Sequence, residues 1–303
     1  MAISDDARKC VVFFAKPVPP KPGEPDKGAE NVAYGGTGFL ASYHSGGYMF
    51  RYLVTCRHVA KELDVDFFMS LNTNEGPAEL APVEVADWQY HPDPTVDIAL
   101  TRIGLNARYY DHLALELSRS ADKRNIACGQ RIHILGLFRL HRGSTRNVPI
   151  VHTGHIAALA DPKEKIAIVD RHGKRVDSEC YLVEAQTLEG LSGSPVLIQQ
   201  YLHLPARVSD PDAGERDVYL NAFGEVTLLG VYQGAWDARP GSVLAEDRDL
   251  GKLRVPVGMG LVIPIGRVIE VIEGNETLKK LRELDIERNI APRAPARKPA
   301  QED

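Results

Sequence analysis

The chain has 303 residues, of which 44% are hydrophobic and 25% are charged, and its formal net charge at pH 7 is −5. A chain of this length can bury a sizeable core without disulfides, as one large all-β unit or as two modest domains. The negative charge supplies no basic field for nucleic acid or for an anionic membrane surface, so we expect neither as a partner.

The N-terminal segment and the cysteines indicate a cellular location. The first twenty residues contain an apolar run too short for a secretion signal, and no stretch is long enough to span a membrane. Cys10, Cys56, Cys128 and Cys180 are widely spaced and form no C-x-x-C pair. This spacing is typical of reduced thiols rather than of a disulfide framework, and we predict a cytoplasmic protein.

Most of the sequence is predicted to form short strands separated by clusters of turn residues. The first set of strands covers residues 10–15, 36–44, 47–56, 65–72, 81–91 and 96–103. A partly helical connection, about 106–126, leads to a second set at 130–138, 150–159, 165–170, 180–186, 193–198, 226–234 and 258–265. Ser45-Gly46 is a good signal for a hairpin turn. Two long polar loops are predicted at 204–217 and 236–256.

These strand sets favour an all-β fold of two packed antiparallel six-stranded β-barrels with a C-terminal helix. Apolar residues recur at three- and four-residue steps near the end of the chain, which is typical of helices. The predicted units are an N-terminal strand and Pro-rich loop (1–32), a first barrel (33–125), a second barrel (126–265), C-terminal helices (266–290) and a disordered tail (291–303).

The stretch "EGLSGSPV" (189–196) raises the question of whether Ser192 is a nucleophile or part of a turn. A nucleophilic serine needs a base to take its proton. The α/β-hydrolase and subtilisin arrangements require a mixed α/β scaffold, and the former also requires an intact G-x-S-x-G elbow with its histidine downstream. Of the known arrangements of a serine, a histidine and an acid, the one that is compatible with this sequence has the order histidine, aspartate, serine on two β-barrels.

That order is filled by His58, at the end of a hydrophobic strand, by Asp97, at the start of a buried strand, and by Ser192. Asp93 is a nearby competitor for the role of Asp97, and Ser194 is a competitor for the role of Ser192. The sequence "DIAL" (97–100) heading a strand favours Asp97, and the surrounding glycines favour Ser192.

Four segments carry a family resemblance: "GTGFLAS" (36–42), "YLVTCRHVA" (52–60), "DIAL" (97–100) and "GLSGSPVL" (190–197). In this order the chain resembles trypsin-like serine proteases of the chymotrypsin fold (PA clan), and most closely the bacterial HtrA-type peptidase domains. A later strand, "GMGLVIPI" (258–265), is similar to a strand of the same group. Each motif alone is weak or moderate, so the resemblance depends on their order and spacing.

The resemblance implies a role for each site residue. Ser192 would be the nucleophile, His58 the general base and Asp97 the group that orients the imidazole. The backbone amides of Gly190 and Ser192 would form the oxyanion hole. Substrate would be bound by Gln186, near the base of the specificity pocket, and by Tyr232, Gln233 and Gly234 of the segment "VYQG".

Three departures from the family pattern change what is expected. Leu191 occupies a position where digestive members have an aspartate that pairs with a freed N-terminal amine, so we expect no activation by propeptide removal. Gln186 is neutral, so a preference for cutting after lysine or arginine is not supported. Too few residues follow position 290 for the PDZ domain that HtrA proteins usually carry.

We therefore predict a serine endopeptidase that acts on protein or peptide substrates and uses no cofactor. No metal site is expected, because His152 and His155 are three residues apart on a predicted strand and would point to opposite faces. "YGGTG" (34–38) lacks the lysine of a phosphate-binding loop. The alternative is a protease-like interaction module, or a latent protease that a regulatory partner activates.

Overall fold

The computed structural model describes residues 3–19, 32–63, 67–83, 87–120, 126–169, 175–186, 188–210, 214–238 and 255–290. Strands dominate these ranges, in two units that follow one another along the chain. The predicted tail, 291–303, and most of the predicted Pro-rich loop lie outside the described residues.

The first unit is an eight-stranded sheet formed by the N-terminal part of the chain. Its strands are β1 (Val11–Pro17), β2 (Val32–Ser45), β3 (Tyr48–Thr55), β4 (Phe67–Leu71), β5 (Glu79–Val83), β6 (Gln89–Tyr90), β7 (Ala99–Arg102) and β8 (Leu115–Glu116). The strand order is β5-β4-β1-β2-β3-β7-β6, and β8 pairs in parallel with β2. Helix α1 (Arg57–Leu63) follows β3, and 3₁₀ turns cover Asp5–Cys10 and Leu117–Arg119.

The predicted hairpin between β2 and β3 is confirmed, with Ser45 opposite Tyr48. Its two turn residues are Gly46 and Gly47 rather than Ser45 and Gly46, with φ angles of 58° and 78°. A two-residue turn with positive φ at both positions matches the twist of the flanking strands, which explains why two glycines occupy it.

The second unit is a closed six-stranded antiparallel barrel. Its strands are β9 (Arg131–Gly136), β10 (Ile150–Ala158), β13 (Tyr181–Glu184), β14 (Pro195–Asp210), β15 (Gly214–Ala238) and β16 (Val255–Pro264). They close in the order β10-β13-β16-β15-β14-β9. A separate hairpin, β11 (Ile166–Val169) with β12 (Arg175–Ser178), lies between β10 and β13 in the chain.

The predicted loop at 204–217 is wrong, because most of it extends β14 and β15. The two strands pair continuously from Tyr201–Phe223 to Asp210–Gly214, beyond the part of β14 that pairs with β9. The prediction rested on the polar composition of this segment, which also contains Pro205, a residue that is rare in a central strand. In a two-stranded ribbon one edge of each strand is free, so a proline is tolerated there.

In the other predicted loop, 236–256, β15 continues to Ala238 and β16 starts at Val255, and residues 239–254 lie outside the described part.

The two units share a hydrophobic core. In the first sheet it includes Phe13, Phe14, Phe39 and Tyr52, all without exposed surface, and Leu135, Leu137 and Leu197 of the second unit join it. A second core, with Ile132, Ile134, Leu191, Val196 and Tyr232, lies inside the barrel. The two units are therefore packed against each other through a common core rather than joined only by the chain.

Two C-terminal helices, α2 (Gly266–Gly274) and α3 (Glu276–Ile290), confirm the helical prediction. They pack on the first sheet, where Val268, Val271, Ile272 and Leu278 enter its core. Arg282 of α3 is 6% exposed and donates a hydrogen bond of 3.0 Å to the Tyr52 hydroxyl of β3. The C-terminal helices thus pack against the unit that the N-terminal part of the chain forms.

The predicted all-β fold with C-terminal helices is confirmed. The first unit differs in detail, since it contains eight strands rather than six and its hydrogen-bonded path does not close over the described residues. Part of the predicted helical connection is β8 with the 3₁₀ turn that follows it. No helix among the described residues is long and apolar enough to cross a membrane.

Candidate active site

His58 and Asp97 meet at one end of the first sheet. β3 ends at Thr55 and α1 starts at Arg57, which places His58 in the first turn of the helix. The imidazole Nδ1 is hydrogen-bonded to Oδ2 of Asp97, and the backbone N–H of His58 donates to Oδ1 at 2.8 Å. A carboxylate can only accept, so Nδ1 carries the proton and Nε2 is left as the basic atom.

The main chain reinforces this pair. The backbone N–H of Arg57 donates to the Asp97 carbonyl at 3.1 Å, so three hydrogen bonds join residues 57 and 58 to Asp97. The side chains of His58 and Asp97 are only 18% and 14% exposed. An imidazole held this way has its ring orientation and tautomer fixed before any substrate arrives.

Asp93, the competitor for the role of Asp97, is engaged elsewhere. Its carboxylate accepts hydrogen bonds from the Thr95 backbone at 2.8 Å and the Thr95 hydroxyl at 2.7 Å. These bonds, the backbone one first, lower the pKa of Asp93. This is a local turn motif, and the carboxylate that contacts His58 is Asp97.

Ser192 and its competitor Ser194 lie in different environments. Ser192 is half-buried and lines a cleft of about 600 Å³ whose walls also include His58, Gly190 and Gly36. Ser194 has no exposed surface, and a Cβ added at Gly136 would lie 2.1 Å from its hydroxyl oxygen. Ser192 therefore lines the cleft, whereas Ser194 packs against the backbone of β9.

Residues 190–194, the nucleophile loop, depend on glycine at two positions. Gly190 and Gly193 have φ angles of 99° and 88°, which are unfavourable for residues with a Cβ. A Cβ on Gly193 would lie 2.0 Å from the Thr37 carbonyl oxygen and 2.2 Å from the Thr55 hydroxyl. The glycines therefore let the loop turn sharply while touching the first sheet.

Contacts with both units hold the nucleophile loop. Leu191 is fully buried in the core of the barrel. Tyr232 of β15 donates its N–H to the Ser194 carbonyl and accepts from the Gly193 N–H, both at 2.8 Å. On the other side, the N–H of Thr37 in β2 donates to the Ser192 carbonyl at 2.9 Å. Thr37 was given no role from the sequence; its position between two glycines of the "GTG" motif was the available signal.

The four predicted substrate-binding residues are placed differently from one another. Gly234 is next to the candidate nucleophile, since an added Cβ would lie 3.6 Å from the Ser192 hydroxyl. Tyr232 is 1% exposed, with its ring packed inside the barrel, so it reaches the site through its backbone. Gln233 is half-buried and Gln186 is exposed. None of the four lines the cleft that holds Ser192.

Cys56 lies beneath the His58–Asp97 pair. Its thiol is fully buried and donates a hydrogen bond of 3.4 Å to the Tyr232 carbonyl. Ligand atoms of Cys56, His58 and Asp97 lie within 4.8 Å of one another, close enough to share a metal ion. The contacts described above already use the thiol, Nδ1 and both carboxylate oxygens, so a metal ion would have to break them.

Comparison with known proteins bears on this site. A family model described as a trypsin-like peptidase domain matches residues 36–201, a range that includes His58, Asp97 and Ser192. A comparison with curated proteins gives no match. Among solved structures, the active form of the Rv3671c protease from M. tuberculosis is 17% identical, with 88% of this chain and 80% of that chain covered and a TM-score of 0.46. The inactive form is 16% identical, with 89% and 90% covered and a TM-score of 0.44.

The family model covers more than half of the chain and all the segments that form the candidate site except the strand of Tyr232 and Gly234. The chain therefore belongs to the family of trypsin-like peptidase domains.

Proposed function

We propose that the protein is a serine endopeptidase in which Ser192, His58 and Asp97 form a catalytic triad. One observation carries the proposal: the imidazole that is hydrogen-bonded to Asp97 lines the same cleft as Ser192. A hydroxyl, a base with its Nε2 free and a carboxylate that orients this base are the three groups that an activated serine requires.

In the acylation step, the Ser192 oxygen attacks the carbonyl carbon of the scissile peptide bond. Nε2 of His58 takes the hydroxyl proton, and Asp97 stabilises the imidazolium through the Nδ1 hydrogen bond without taking the proton itself. When the carbon–nitrogen bond breaks, His58 gives this proton to the leaving amine. An ester between Ser192 and the acyl half of the substrate remains.

In the deacylation step, water enters the position that the amine has left. His58 takes a proton from the water as its oxygen attacks the ester carbon. The carbon–oxygen bond to Ser192 then breaks, and the proton returns to the serine oxygen. The products are a carboxylic acid and the regenerated hydroxyl, so the cycle needs no metal or cofactor.

The backbone of the nucleophile loop supplies the oxyanion hole in this proposal. Within the described ranges, the N–H groups of Gly190 and Ser192 donate no hydrogen bond. Amides beside the nucleophile that no described residue engages suit the negative oxygen of a tetrahedral intermediate, and each such donor contributes about 3 kcal/mol to lowering the barrier.

The edge of β15 offers a place for the substrate backbone. β14 pairs with β15 only as far as Pro195–Val231, whereas β15 continues beside β16 through Gly234 and Trp236. In the described part of the chain the other edge of Gln233 and Gly234 is therefore unpaired. An extended peptide can add there as a strand, which would bring its carbonyl next to Ser192.

A peptide-cleavage assay tests the proposal with a matched pair of variants. We expect Ser192→Ala to abolish hydrolysis of an unstructured protein substrate, because the nucleophilic oxygen is gone. Ser194→Ala should keep most of the activity, because this buried hydroxyl is not exposed to the cleft. Equal activity of Ser192→Ala and the wild type would refute the proposal, and an inactive wild type would favour a non-enzymatic interaction module.

A further inference from the structure

We infer that Thr37 is a positioning residue whose side-chain hydroxyl holds the nucleophile loop in its active arrangement. The inference rests on the proposed function, since it concerns how the oxyanion hole is kept ready. Thr37 lies on β2 of the first sheet, whereas the loop belongs to the second unit. The residue therefore joins the two units at the site.

The hydroxyl of Thr37 makes two hydrogen bonds. It donates to the Gly190 carbonyl at 2.6 Å, and it accepts from the backbone N–H of Leu137, just after β9, at 3.0 Å. The backbone N–H of the same residue donates to the Ser192 carbonyl at 2.9 Å. Thr37 thus holds the carbonyl groups of both Gly190 and Ser192, the two residues whose amides form the proposed oxyanion hole.

Thr37 is itself held rigidly. It has no exposed surface and pairs with Phe13 of β1. Its carbonyl accepts a hydrogen bond of 2.7 Å from the hydroxyl of Thr55, the last residue of β3. His58 follows Thr55 by three residues, so the base and the oxyanion hole are both positioned from the same end of the first sheet.

The loop needs such an anchor because of its own sequence. Gly190 has no side chain to restrict its backbone rotation, and Leu191 carries no charge with which to form an ion pair. If the Thr37 hydroxyl is removed, the Gly190 carbonyl loses its partner and the peptide group can rotate to find another. That rotation moves the amides away from the position of the oxyanion, and small displacements of catalytic donors cost large factors in rate.

The test compares Thr37→Val, which keeps the shape of the side chain but has no hydroxyl, with Thr37→Ser, which restores it. We expect kcat for a peptide amide to fall about 10- to 100-fold in Thr37→Val. This loss is smaller than the loss expected when an oxyanion-hole donor is removed completely. KM should change by less than about threefold, because the cost falls on the transition state. Thr37→Ser should recover most of kcat.

A peptide aldehyde separates positioning from a merely structural role. Aldehydes form a tetrahedral adduct with the serine, so their affinity reports on the oxyanion hole. This affinity should fall in Thr37→Val by about the same factor as kcat, after correction for the folded fraction measured by circular dichroism. Thr227→Val is the matched control, since its buried hydroxyl has no hydrogen-bond partner among the described residues. This variant should retain wild-type kcat and aldehyde affinity.

The outcomes distinguish this inference from the proposed function. An active wild type with equal kcat in folded Thr37→Val overturns the inference alone. A wild type that neither cleaves peptides nor binds the aldehyde overturns the proposed function and the inference with it. If Thr37→Val does not fold, Thr37→Cys takes its place, because a thiol is a weaker donor and acceptor than a hydroxyl. Equal kcat in Thr37→Cys and Thr37→Ser would then overturn the inference.

Discussion

The two units of the molecule contribute different kinds of groups to the candidate site. The first sheet supplies side chains: His58 and Asp97 sit beside strand ends and are joined by hydrogen bonds of their own. Apart from the Ser192 hydroxyl, the barrel of the second unit supplies backbone groups. They belong to a glycine-containing loop that is held by contacts with Thr37 and Tyr232. Because Thr37 belongs to the first unit, the conformation of the loop depends on both units and not on the barrel alone.

This difference separates substitutions that should remove a reacting group from substitutions that should change the geometry of the site. Changing a side chain of the first sheet's pair removes a chemical function from a framework that stays in place. Changing the loop or its anchors displaces backbone amides, which only a substitution to proline can remove. Substitutions in the side-chain pair should therefore have the largest effects on turnover.

Asp97→Asn should lower kcat by about 10⁴-fold while the protein stays folded, because an amide can present the wrong tautomer of His58 to the substrate. The measurement is steady-state hydrolysis of a peptide amide, with circular dichroism as the check on folding. Asp93→Asn is the matched control and should keep near-normal turnover, since that carboxylate contacts Thr95. The reverse pattern would transfer the role to Asp93.

Gly193→Ala should lower the free energy of unfolding by about 2–4 kcal/mol, because its φ of 88° and its contact with the Thr37 carbonyl leave no room for a methyl group. Denaturant unfolding measures the loss. Gly104→Ala, where an added Cβ meets nothing within 4 Å, should change stability by less than about 0.5 kcal/mol. Equal stability of the two variants would mean that the loop is not packed against β2 as described.

Tyr52→Phe should lower the free energy of unfolding by about 1–3 kcal/mol, because the buried guanidinium of Arg282 loses its hydrogen-bond acceptor. Turnover of the folded variant should be unchanged, since this contact joins α3 to β3 away from the site. Tyr48→Phe, at the partly buried start of β3, is the control and should be milder. A loss of turnover at full folding would contradict the separation of scaffold and site.

The smallest expected effect is an acid sensitivity of the second unit. Burial, and secondarily the charge of Arg131, lowers the pKa of His133 in the barrel. Because the folded state disfavours the protonated ring, the unfolded state binds more protons below the usual histidine pKa of about 6.5. The stability that the neutral ring supports is therefore full above that pH and is lost as the pH falls below it.

His133→Gln should accordingly weaken the loss of stability between pH 7 and pH 5, measured as the shift of the denaturant midpoint. His155→Gln is the matched control, since His155 is exposed on β10, which is paired with the strand of His133. An identical pH dependence in the wild type and both variants would show that His133 does not contribute.

The side chains proposed to carry the chemistry could be chosen from the sequence, because each lies in a short motif beside a strand. The order of His58, Asp97 and Ser192 and the all-β pattern were enough to choose one scaffold. The preference for Asp97 over Asp93 rested on the buried strand that follows it, and the hydrogen bonds to His58 agree with that reasoning.

The remaining features depend on tertiary contacts. The role of Thr37 requires β2 to lie against the nucleophile loop, 153 residues away in sequence. The long ribbon of β14 and β15 was missed because its sequence is polar, and local propensity does not reveal whether a polar segment pairs with its neighbour. The burial of the Tyr232 ring likewise follows from the closed barrel and from Gly260 on β16, whose missing Cβ leaves space for the ring.

Mapping the residue that reacts with a fluorophosphonate is the most direct test of the central claim. The reagent forms a stable phosphonate ester only with a serine whose proton is taken by a neighbouring base, and tryptic peptides analysed by mass spectrometry locate the adduct. We predict a single adduct on Ser192, formed by the wild type and greatly slowed in His58→Ala. An adduct on another serine, or none on folded wild-type protein, would contradict the account.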